Sequence, residues 1–101
     1  MIRKGTTPTH IFNVNIDTED IASVRVLYAQ DGKLVLKKDA DSVNIENGKI
    51  MLTLTQEDTL LFDYRKPAQI QLRILTNSGT ALASGIISVS VGQLLESEAI
   101  T

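Results

Sequence analysis

The chain has 101 residues, no cysteine, ten Lys and Arg against twelve Asp and Glu, and a formal net charge of −2. That length suits one domain with one core. The missing cysteine excludes a disulfide scaffold, a thiolate nucleophile and a Cys-ligated zinc site, and the charge balance argues against nucleic-acid binding, which draws on a surplus of positive charge.

The opening "MIRKGTTPTH" is basic, but no apolar stretch of a secretory signal follows it. No run approaches the ~18 apolar residues of a membrane span. A soluble protein made in the cytoplasm is therefore expected. Residues 1–8 read as an N-terminal tail, residues 9–91 as the folded domain, and residues 92–101 as a C-terminal tail.

Residues His10 to Ile16 alternate, with Phe12, Val14 and Ile16 on one face and Asn13 and Asn15 on the other. This predicts a first strand. Asp17 to Ala22 reads as a connection with one short helical turn. Ser23 to Gln30 is the second strand, and Asp31-Gly32 turns it into a third at Lys33–Lys38. A two-residue Asp-Gly loop between apolar runs signals a hairpin, because both central positions want positive φ. Asn47-Gly48 makes the same signal between Ser42–Glu46 and Lys49–Thr55. Ala68 to Thr76 alternates most cleanly, with Ile70, Leu72 and Ile74 facing one way. After the turn "NSG", Thr80 to Val91 is the last strand, and Gly85 within it suggests a bulge or kink. Seven short strands without a long helix read as an antiparallel all-β sandwich. Its predicted core is Val26, Tyr28, Ile50, Leu52, Leu54, Ile70, Leu72, Ile74, Ile87 and Val89.

"TQEDTLLFDYRKP", Thr55 to Pro67, breaks the alternation. Thr55 followed by Asp58 resembles a capping box, so one short helical turn is predicted over 56–62. This segment connects the fifth and sixth strands, which in a sandwich means crossing from one sheet to the other over the open end of the core. Leu60, Leu61 and Phe62 are expected to plug that end, so truncating Leu61 to Ala should cost about 2–5 kcal/mol. The rival reading is an exposed apolar patch. Tyr64 is placed to form a tyrosine corner.

Chemistry-bearing patterns are sparse. His10 is the only histidine and has no nucleophile motif beside it. "DTED" and "DAD" lack the oxygen ladder of a calcium loop. Gly32, Gly48 and Gly79 lie in turns rather than in a phosphate-binding loop. No catalytic, cofactor-binding or metal-binding residues are assigned and no cofactor is expected. Lys33, Lys37 and Lys38 read as guards of an exposed sheet edge. Strand one is uncharged from Thr9 to Asn15. The tail "GQLLESEAIT" carries Leu94, Leu95 and Ile100, which either fold back on the sandwich or contact a neighbouring subunit.

The stretches "RKGTTPTHIFNV", "YAQDGKLVL", "TLTQEDTLLF" and "IQLRILTNSGTALASGIISVSVG" resemble small prophage-encoded proteins of Gram-positive bacteria. They are similar to the immunoglobulin-like N-terminal domain of phage baseplate upper proteins. The resemblance implies a seven-stranded Greek-key, immunoglobulin-like sandwich. It also implies a non-enzymatic structural or assembly component of a phage particle, associated with tail or baseplate, made in the bacterial cytoplasm and incorporated in the virion. The expected partners are further copies of the chain, with Leu94, Leu95 and Ile100 at the contact, and other phage structural proteins; neither nucleic acid nor membrane is expected. Asp31-Gly32 is too tight to cross between sheets, so strands two and three must share one sheet, unlike the usual immunoglobulin pattern. The alternative function is a carbohydrate- or cell-surface-binding module, for which only four aromatic residues are available.

Overall fold

The computed structural model describes residues 1–101 and contains two main antiparallel sheets. One has the order β4–β3–β7, with β8 and β9 sharing the outer lane beside β7. Its strands are β3 (Ile21–Gln30), β4 (Lys33–Asp39), β7 (Ala68–Thr76), β8 (Ala81–Ala83) and β9 (Ile87–Val89). The other has the order β2–β6–β5, from β2 (Thr9–Asn13), β5 (Val43–Glu46) and β6 (Lys49–Thr53). A short parallel pair, β1 (Ile2–Arg3) with β10 (Val91–Gly92), ties the two ends of the chain together. The fold is an all-β sandwich with one short helix, α1 (Gln56–Leu60).

Local chemistry explains the hairpins. Asp31 and Gly32 have φ of 53° and 77°, and Asn47 and Gly48 have 50° and 76°. Both central residues of each turn are left-handed, the twist that two antiparallel strands require of a two-residue loop. β3 and β4 accordingly lie in one sheet, as do β5 and β6. The chain changes sheet between β2 and β3, through a single turn at Ala40–Ser42, and through α1.

Alternation places the core. Val24, Val26 and Tyr28 of β3 meet Ile70, Leu72 and Ile74 of β7 and Ile50 and Leu52 of β6, with Leu54 just beyond that strand. The α1 connection closes one end. Its capping box is complete, with the Asp58 amide donating to Thr55 Oγ1 and the Thr55 amide donating to the Asp58 carboxylate. Only one member of the expected plug is fully inserted. Phe62 is buried edge-on against Tyr28, with ring centroids 5.9 Å apart. Leu60 is half-buried, and Leu61 is 60% exposed. Leu61 and Phe62 are adjacent at the end of the helix and diverge there, so one enters the core and the other faces solvent. The expected tyrosine corner is absent as well. Tyr64 is exposed and its hydroxyl has no partner within the chain.

The N-terminal stretch is not a free tail. Ile2 is buried in the core beside Val91. The amide of Ile2 donates to the Ser90 carbonyl and that of Lys4 to the Gly92 carbonyl. Thr59 Oγ1 donates to the Thr6 carbonyl at 2.8 Å, and Lys4 Nζ donates to the Phe62 carbonyl.

The expected last strand is broken into β8, β9 and β10. Ala81 to Ala83 pair with Leu75 to Arg73, whereas Ile87 to Val89 pair with Ile70 to Ala68 in a register shifted by one residue. The bulge anticipated at Gly85 therefore spans Ser84 to Ile86, and Ser84 closes it. Ser84 Oγ accepts from the Leu72 amide and donates to the Gly85 carbonyl. Val89 is half-buried, but Ile87, expected in the core, is 56% exposed. β9 sits in the outer lane, beyond the cover of the three-stranded sheet.

These placements reverse the expectation for Leu61. Phe62→Ala should destabilise the protein by about 3–5 kcal/mol, as buried aromatic truncations do. Leu61→Ala should stay within about 0.5 kcal/mol, as surface changes do. Equilibrium urea unfolding of the two variants checks the contrast.

Candidate functional site

The titratable groups with buried partners are structural. His10 Nδ1 lies 2.6 Å from the Tyr28 hydroxyl, and the two rings are tilted at 5.6 Å. Burial, reinforced by the nearby Asp58 charge, pushes the Tyr28 phenol far up, so it stays protonated. The protonated phenol and the neutral imidazole share this hydrogen bond, with the proton supplied by either group according to the His10 tautomer. Burial, with the N-terminal ammonium as a smaller cause, lowers the His10 value below 6.5. Lys38 Nζ is 3.0 Å from Asp58, and both side chains are largely covered. Lys38 is thus not an edge guard, as its spacing suggested, but a tie from β4 to α1. Burial alone would raise the Asp58 carboxyl, but bonds from Thr55 and Lys38 hold it below its usual range. Gln30, buried at the end of β3, clamps the loop before β7. Its Nε2 donates to the carbonyls of Asp63 and Lys66, and its Oε1 accepts from the Asp63 amide.

Concave space is open to solvent. A depression of about 210 Å³ lies on the outer face of β3 and β7, bordered by Ser23, Arg25, Arg73, Leu75 and Ala81. That is below the roughly 300–1,000 Å³ of ordinary ligand pockets. A second hollow, about 500 Å³ but wide open to solvent, lies beside Lys4, Leu61 and Tyr64. No three His, Cys, Asp or Glu side chains converge as metal ligands would.

The three candidate contact residues of the tail are not equivalent. Leu94 is half-buried against the N-terminal stretch, where a β-carbon on Gly5 would come within 2.5 Å of its Cδ2. Gly5, at φ +76°, makes room for it. Leu95 is 99% exposed. Ile100 also exposes its side chain, but its main chain is held by Gln56, which donates to its carbonyl and accepts from its amide.

A further run of uncovered apolar surface lies elsewhere. Every residue from Asn77 to Ser88 is exposed, which includes all of β8 and most of β9. Leu82, Ile86 and Ile87 are 42%, 63% and 56% exposed along this lane. No charged residue occurs between Arg73 and Glu96. The opposite edge of the same sheet is different. β4 exposes Lys33, Lys37 and Asp39, and a bulge at Val35 interrupts its ladder. Charges and bulges are how edge strands are kept from pairing with other chains. The β8–β9 edge has a bulge but no charge. The sequence signal for this lane is the uncharged run from Ile74 to Leu95, which carries no motif.

No family model and no curated protein matches the sequence. Among solved structures, two of the extracellular immunoglobulin-like domain of mouse leukocyte-associated immunoglobulin-like receptor 1, each described as a strand-swapped dimer, align with a TM-score of 0.55. They are 13% and 14% identical, over 91% of this chain and 85% of theirs. The V domain of amphioxus IgVJ-C2 aligns at a TM-score of 0.37 and 10% identity over 90% of this chain and 97% of that one, too low to argue from. At such identities the likeness establishes the immunoglobulin-like fold alone.

The His10–Tyr28 pair sets a pH dependence. Between the lowered folded value of His10 and its ordinary 6.5, the unfolded chain binds more protons than the folded one. Stability therefore rises with pH there, is fully present above 6.5, and is lost as pH falls through that window. Urea midpoints should fall between neutral and mildly acidic pH, and His10→Asn should flatten this slope. The Asp58 contribution has the same sign but is lost only below 3.8, so the two windows separate.

Proposed function

We propose that this chain is a non-enzymatic assembly module, a structural component of a phage or prophage particle associated with the tail or baseplate. The observation that carries the assembly reading is the uncharged, exposed β8–β9 edge on a compact immunoglobulin-like sandwich. Immunoglobulin-like domains commonly serve as binding or structural units, but one fold hosts many functions, so the surface carries the reading. The phage assignment rests on the resemblance carried by "YAQDGKLVL", "TLTQEDTLLF" and "IQLRILTNSGTALASGIISVSVG", which correspond to the β3–β4 hairpin, the α1 crossover and the β7–β9 edge. On this reading the chain is made in the bacterial cytoplasm and ends in the virion. The strand-swapped dimers of the mouse receptor lend support to self-association as a property open to this fold. Exposed Leu95 and Ile100 add apolar area that neighbouring phage proteins could cover.

The carbohydrate-binding alternative has one exposed ring to offer, Tyr64, beside Arg65. A sugar platform takes convergent aromatic and polar groups, so this reading ranks second.

Prophage induction in the host, gradient purification of the particles and quantitative mass spectrometry test the proposal. The chain should co-purify with tail proteins at a fixed stoichiometry. Its recovery solely from the soluble lysate, with none in the particles, contradicts a virion role.

A further inference from the structure

We propose that β8 pairs antiparallel with β8 of a second copy of this chain, about a two-fold axis through Leu82. The inference deepens the assembly reading and takes its biological purpose from it, but its geometry stands on the edge alone. Hydrogen-bonding direction alternates along a strand. The Ser84 amide donates to the Leu72 carbonyl, and the Thr76 amide donates to the Thr80 carbonyl. Leu82, midway between Thr80 and Ser84, therefore bonds inward to β7. The amides and carbonyls of Ala81 and Ala83 point outward, to an edge with no strand beside it.

The sequence of that edge is its own complement. Ala81-Leu82-Ala83 reads the same in both directions. A two-fold at Leu82 sets Ala81 opposite Ala83 of the second copy, and each such pair exchanges two main-chain bonds. Leu82 then meets its symmetry mate in the non-hydrogen-bonded position, where side chains approach most closely. Ile74, paired with Leu82, shows that this side chain lies on the core face of the sheet, so the contact continues the core across the axis. The small alanines on the outer face offer no clash.

Charge selects a second copy as the occupant. A two-fold brings each residue near its own kind, and like charges opposite one another destabilise a sheet. Self-pairing of β4 would bring exposed lysines together, whereas the run from Ile74 to Leu95 has no charge to repel. β2 is the other uncharged edge, but around its exposed Ile11 it carries Thr9 and Asn13. The bulge at Ser84 to Ile86 bends the chain out of register and confines the pairing to β8. Four main-chain bonds and one Leu pair make a small contact, of the weak, reversible class rather than the obligate one.

Sedimentation velocity of the full chain from low to high micromolar concentration tests this. A rapid monomer–dimer equilibrium is expected. Ala83→Pro removes an outward amide without touching the ladder to β7, and proline is tolerated at such edge positions. It should weaken the dimer roughly tenfold or more, the effect of two lost net hydrogen bonds, and Leu82→Lys should do at least as much. Ile11→Lys on the β2 edge should change nothing, and circular dichroism confirms that each variant is folded. A full chain that stays monomeric overturns the β8 pairing, while the virion reading is judged separately by particle composition. A dimer that survives Ala83→Pro in folded form, or that is lost with Ile11→Lys or on removal of residues 93–101 instead, also overturns it.

Discussion

Four lanes of sheet cannot be covered by three. The β4–β3–β7–β8/β9 sheet is one lane wider than the β2–β6–β5 sheet that packs on it, and the excess falls at β8 and β9. Apolar residues that alternate correctly for a core, Leu82 and Ile87, are left facing solvent because nothing lies opposite them. The same lane ends the hydrogen-bond ladder. Uncovered side chains and unpaired main-chain groups therefore coincide in one strip, and that strip has no charge to discourage a partner strand.

The interior of the molecule is well closed. The α1 crossover seals one end with Phe62 against Tyr28, and Gln30 pins the following loop through three hydrogen bonds. The N-terminal residues are stitched to the far end of the chain by β1–β10 pairing, and Leu94 packs over Gly5. No buried side-chain polar atom lacks a partner. A domain so fully satisfied inside, yet with an uncharged apolar edge at β8 and β9, fits a module that completes a larger sheet.

Much of this was legible in the residues. Asp31-Gly32 and Asn47-Gly48 announced both hairpins because few sequences accept two successive left-handed residues, and alternation marked the core faces of β3, β6 and β7. Thr55 and Asp58 announced the helix cap. Illegible were features that depend on where the lanes end. Ile87 alternates like a core residue, and only the width of the facing sheet shows that it is not one. Leu61 and Phe62 differ by one position at a helix end, where a local rotation decides which is buried. Ile2 looked like part of a tail because a two-residue parallel strand has no periodicity to detect. Lys38 looked like an edge charge because its partner, Asp58, is distant in sequence.

Hydrogen–deuterium exchange at Ala81 and Ala83 tests the open edge most directly, followed by NMR at low and high protein concentration. The Leu82 amide, bonded to β7, should be protected at both. If β8 pairs with a second copy, the Ala81 and Ala83 amides exchange freely in dilute solution and become protected as concentration rises. Free exchange of both at every concentration, or concentration-dependent protection appearing only along β2 or the C-terminal residues, would contradict the account.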